Sequence, residues 1–130
     1  MREDKFKPID EWFKQADYDL DTASAMLETG KYIYTVFMCH LSIEKALKGL
    51  YTKKFKKDPP KAHDLVYFVK KIELSVPQPY QDFLKTLNEL SVPTRYPDEL
   101  EKLLQQYSKE RTKALLSQTK ELLQWLKGRL

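Results

Sequence analysis

Apolar positions recur with a helical period over five stretches of the chain. In the first, from about Ile9 to Leu27, one stripe is formed by Ile9, Trp12, Phe13, Ala16, Leu20, Ala23 and Leu27. Gly30 follows where a helix end favours a residue free to take positive φ. The second stretch runs from about Tyr32 to Phe55. Its opening, "YIYTVF", is aromatic and β-branched and would suit a strand. The continuation "IEKALKGLY" brings strong helix formers without a break, so a helix is predicted throughout. Pro59 and Pro60 end it. A short third helix is predicted from Asp64 to Ile72, with Leu65, Phe68 and Ile72 inward, and a fourth from about Tyr80 to Leu90. "SVPTRYP" predicts a loop stiffened by Pro93 and Pro97. Asp98 with Glu101 three residues on predicts a capping box, opening a last helix that runs to about Lys127. No run alternates with period two, and no Asn-Gly or Asp-Gly hairpin signal occurs. The elements predict an all-α fold: a single domain over 1–130, an antiparallel up-and-down bundle of four long helices plus one short helix.

The second helix carries an anomaly. His40, Glu44 and Lys48 stand four residues apart and share one face. On a wheel at roughly 100° per residue, Ile33, Phe37, Leu47 and Tyr51 point within about 40° of one direction. His40 and Glu44 point the same way, with Lys48 slightly to one side. They therefore lie on the apolar face. A carboxylate there needs partners, because burying it alone costs several kcal/mol. Those partners are either an internal core network or the lining of a polar cleft. His63 and Asp64 open the third helix, where free backbone N–H groups would favour an anion. Arg95 and Tyr96 sit in the proline-bracketed stretch. Arg111 falls four residues after Tyr107 on the apolar stripe, and its plainest reading is a stem snorkelling over the core edge. For Arg95 the plain reading is a surface charge.

Composition narrows the classes. The 130 residues are 42% hydrophobic and 32% charged, which excludes a disordered tail and suits one core. With three glycines the chain has no Walker or GxGxxG phosphate loop. No apolar run approaches the roughly 18 residues of a membrane span. The charged start "MREDKFKPID" lacks a signal-peptide core. With one cysteine, Cys39, no internal disulfide forms, so the expected location is cytoplasmic. Cys39 and His40 are adjacent on a helix and cannot face each other as a dyad, and two histidines give no zinc spacing. Trp12 and Trp125 read as core or interface anchors. A net charge of +4 permits a polyanion partner without demanding one. The densest basic run is "TKKFKKDPPK", with Lys53, Lys54, Lys56, Lys57 and Lys61. Sixteen aromatic residues (six Phe, eight Tyr, two Trp) are many for one small core. Together with the apolar circumference of the second helix, they point to a homodimer.

The segments "ADYDLDTASAML", "GKYIYTVFMCHLSIEKALKGLY", "PPKAHDL" and "TRYPDE", in that order, resemble the HEPN domain family, the nucleotide-binding domains shared by higher eukaryotes and prokaryotes. The most specific elements are Glu44–Lys48, Glu-Lys-Ala-x-Lys, and His63–Leu65, His-Asp-Leu. The resemblance implies a small helical bundle that dimerises, and nucleotide or RNA chemistry. It also implies a minimal nucleotidyltransferase as partner, in a toxin–antitoxin or substrate-binding role. Other members are metal-independent RNases with an Arg-x(4–6)-His motif. Neither His40 nor His63 follows an arginine at that spacing, so no catalytic residue carries over. The expectation is a non-catalytic protein that binds a nucleotide or related anion, without metal or cofactor, through His40, Glu44, Lys48, His63, Arg95 and Tyr96. Lys48 and Arg95 would hold phosphate and Tyr96 would stack a base. The alternatives are an RNase with a non-standard centre and a purely structural interaction module.

Overall fold

The structure is a computed structural model that describes residues 6–130; the first five residues of the charged start read above lie outside them. Six helices follow in order: α1 (Ile9–Glu28), α2 (Tyr32–Phe55), α3 (Leu65–Lys71), α4 (Gln78–Arg95), α5 (Leu100–Leu104) and α6 (Lys109–Lys127). No strand occurs among the described residues.

α1 and α2 form an antiparallel pair joined by a tight turn. Gly30 has φ of 77°, and the Lys31 and Gly30 amides donate back to the Met26 and Leu27 carbonyls. This left-handed closure is the one the glycine predicted. The pair fits closely at Gly49, where an added Cβ would stand 2.7 Å from the Phe13 ring. Polar groups also tie it: Ser42 donates to the Ala16 carbonyl, and Lys45 meets buried Asp19 at 2.9 Å. α2 is the central element, touching all five other helices. Its buried residues, from Ile33 to Thr52, run around most of its circumference.

Three expectations are corrected. α4 does not stop at Leu90 but continues through Pro93 to Arg95. Pro93 has no N–H to give the Glu89 carbonyl. The Ser91 hydroxyl donates to Asn88 O and the Thr94 hydroxyl to Ser91 O, so the last turn keeps side-chain bonds where a backbone bond is lost. Next, the final segment is not one helix. It breaks after Leu104, giving two short helices in the bundle rather than one. Buried Tyr107 turns inward in the break and donates its hydroxyl to Leu90 O at 2.6 Å, while Ser108 caps α6 by accepting from Arg111 N–H. The break resets the register, so Thr112 and Leu115 face the core and Arg111 is exposed, donating to Gln106 O. Finally, the Asp98–Glu101 capping box does not form; Glu99 occupies the cap of α5 without a side-chain bond.

Candidate functional site

His40, Glu44 and Lys48 are all buried, at 2%, 3% and 7% exposure. The wheel places them there because α2 has apolar neighbours on that face and no polar alternative. Four nitrogen-bearing side chains surround the Glu44 carboxylate. Lys48 Nζ lies 2.9 Å from Oε2, and His63 Nδ1 lies 3.0 Å from Oε1. His40 Nδ1 is 3.7 Å and Arg95 Nη2 4.0 Å from Oε1. Thus the loop before α3 and the last turn of α4 bring His63 and Arg95 to the α2 row from far along the chain. The Arg95 guanidinium also lies over the Phe37 ring, 4.7 Å from its centroid.

Asn88 organises the other side. Its Oδ1 accepts from Leu65 N–H at 3.0 Å, and its amide NH2 donates to Asp64 Oδ1 at 2.8 Å. With the amide so fixed, His40 Nε2 must carry the proton that it donates to Oδ1 at 3.2 Å. Burial outweighs the nearby Glu44 and holds the His40 pKa below its usual value, so the ring is neutral at pH 7. Its Nδ1 is then a bare acceptor, buried without a hydrogen-bond partner; Arg95 Nη2 is likewise buried and unpartnered.

These groups underlie a cleft of ≈ 520 Å³ lined by His40, His63, Asp64, Asn88, Glu89, Ser91, Val92, Arg95 and Tyr96. Tyr96 stands at its edge, 88% exposed. Glu44 and Lys48 are not among the lining residues: they sit beneath it, Lys48 as the counter-ion of the carboxylate. The start of α3 offers no amides to an anion. Asp64 accepts from Val66 and Tyr67 N–H, and Asn88 takes Leu65 N–H. Because Glu44 takes Nδ1–H of His63, the free ring nitrogen of that exposed side chain is Nε2. A histidine oriented by a buried carboxylate, with an arginine beside it, can bind an anion or move a proton.

Sequence reasoning missed Asn88. The signal was present: Asn88 is four residues after Leu84 and three before Ser91, on the inward face of α4, the kind of anomaly that exposed Glu44. Cys39 is fully buried, and burial pushes its thiol up to about 12, which leaves it a core residue. No metal-holding group of His, Cys, Asp or Glu side chains occurs among the described residues. No described helix is long and apolar enough to cross a membrane.

A family model described as the HEPN domain matches residues 9–129. The crystal structure of TT1696 from Thermus thermophilus matches with a TM-score of 0.83 and 24% identity, over 94% of this chain and 98% of that one. The crystal structure of ST0689, an archaeal HEPN homologue, matches with a TM-score of 0.76 and 24% identity, over 95% and 98%. At that identity the two likenesses establish the fold. No curated protein matches significantly.

Proposed function

The chain belongs to the HEPN domain family, and from that premise we propose that it is a nucleotide- or anion-binding protein whose ligand enters the cleft above Glu44. One observation carries the reading: His63 and Arg95, remote in sequence, converge on one buried carboxylate at a cleft of ≈ 520 Å³. Arg95 would grip phosphate with its planar fork, His63 would add Nε2, and Tyr96 or Val92 would cover a base. Glu44, with Lys48 as its counter-ion, would hold His63 and Arg95 in place, and His40 would form the wall. The resemblance supports a homodimer working with a minimal nucleotidyltransferase, in a toxin–antitoxin-like or substrate-binding role. Isothermal titration with ATP, GTP and AMP tests the ligand. Heat with at least one of them, abolished by Arg95→Ala, is expected; no heat from any at high protein concentration defeats the proposal.

A second reading has its own observation. The Glu44–His63 pair beside Arg95 has the parts of a metal-independent RNase: a carboxylate-oriented histidine to move protons and an arginine to stabilise a charged phosphorane. Incubation with a mixed RNA pool separates the readings. Cleavage lost in His63→Ala would favour the enzyme; intact RNA favours the binding protein.

A further inference from the structure

The seam between α3 and α4 has a second opening, one turn of α4 before the cleft. α3 ends in a Schellman turn: the Leu74 N–H donates to Val69 O at 3.0 Å and the Glu73 N–H to Lys70 O at 3.1 Å. Glu73 holds the left-handed position of that turn, with φ of 54°, where glycine is the usual residue. Its carboxylate meets Lys54 Nζ at 3.0 Å, and the same Nζ donates to Ile72 O at 2.9 Å, which ties the turn to α2. The turn sends Leu74 back toward Val69 and leaves a pit of ≈ 300 Å³ against α4. Val66, Val69, Leu74, Val76 and Leu84 line it, and of these Val76 and Leu84 are buried. Gln81 also lines it, with its NH2 committed to Val76 O at 2.7 Å. The pit shares no lining residue with the cleft above Glu44. Lys70 from α3 and Lys85 from α4 border this same pit. Both are exposed, and neither forms an ion pair with another described residue. Glu73 borders it too but has Lys54 as its partner.

We propose that this pit is a second binding site, separate from the cleft, for a small amphipathic anion: an apolar body the size of one ring with a short arm, carrying a single carboxylate. The aliphatic walls take the body out of water, and Lys70 and Lys85 meet the head at the rim. A volume of ≈ 300 Å³ stands at the lower end of small-ligand sites, about 300–1,000 Å³. A nucleotide does not suit this chemistry. Its ribose hydroxyls would lie on side chains that offer them no partner. A phosphate dianion would face Glu73 as well as the lysines and so loses more to repulsion than a single charge does. An apolar side chain of another protein would fill the walls but leave both lysines without a counter-charge.

Titration of the full chain with phenylacetate, followed by amide proton–nitrogen correlation spectra, tests the site. Shifts are expected at Val66, Val69, Leu74 and Leu84 and not at His63 or Arg95. Phenylacetamide keeps the body and loses the charge, and it should bind about fivefold or more weaker. The double variant Lys70→Gln, Lys85→Gln should lose about as much affinity for the acid, about fivefold or more. Both positions are exposed, and circular dichroism checks that the variant keeps its helices. Inorganic phosphate, a charge without a body, should leave the pit amides unmoved. Arg95→Ala should keep phenylacetate affinity within about twofold, because the pit does not use the cleft. Absence of shifts at millimolar phenylacetate overturns the site, and so do shifts centred on His63 and Arg95. Equal affinity for acid and amide also overturns it and marks an apolar docking surface for a protein instead.

Discussion

Glu44 has the largest consequences of any single side chain here. Replacing it with Ala would leave Lys48 buried opposite nothing, and breaking such a pair costs about 3–5 kcal/mol. Urea unfolding of Glu44→Ala should show a loss of that size, against about 1–3 kcal/mol for Asn88→Ala, which strands the Leu65 N–H and the His40 ring. His40 adds a pH dependence. Its pKa is lowered in the folded state, so the unfolded chain binds the extra proton and stability falls as pH drops below about 6.5. Glu44 on α2, His63 on the loop, and Asn88 and Arg95 on α4 all face or act on the ring. Melting temperatures measured from pH 7.5 downward should decline more steeply for the native chain than for His40→Gln. The α2 row was legible because three polar residues broke an apolar stripe at one spacing. Asn88 was not singled out, since one amide beside Leu87 breaks a stripe only once.

Helix pairs respond to single atoms at close approaches. Gly49 lets α1 settle against α2, and a larger side chain there must displace the Phe13 ring. Gly49→Val should destabilise by about 1–3 kcal/mol, the usual range for overpacking, with no gain in helix propensity large enough to reverse it. α1, α2 and α3 were readable almost to their ends, because period, glycine and paired prolines agreed. α4 and the last segment were misread for opposite reasons. Pro93 looks like a stop, yet hydroxyls and packing keep the turn helical. Tyr107 looks like another inward position of a continuous helix, yet it belongs to the break and anchors it through the Leu90 carbonyl.

At the scale of the whole molecule the exposed apolar residues bear on assembly. The bundle leaves Tyr18, Tyr34, Val92, Tyr96, Leu100 and Leu104 exposed, consistent with aromatic content beyond what one small core absorbs. Sedimentation equilibrium at micromolar concentration should return twice the chain mass of 15.5 kDa; a single-chain mass rejects the homodimer. The fold class was legible from periodicity alone, whereas the homodimer expected from aromatic content has no periodic signature in the sequence. The proline within α4 bears on time rather than shape. Beyond it only Thr94 and Arg95 remain helical, and this last turn lacks the one bond that a residue at position 93 would give the Glu89 carbonyl. Amide exchange should therefore release Thr94, Arg95 and Tyr96 on a faster clock than Leu84 or Leu87, deep in the same helix. A nucleotide gripped by Arg95 should slow that clock while leaving the first turns of α4 unchanged. Deuterium uptake followed with and without ligand would show whether occupancy of the cleft is registered first at this terminal turn.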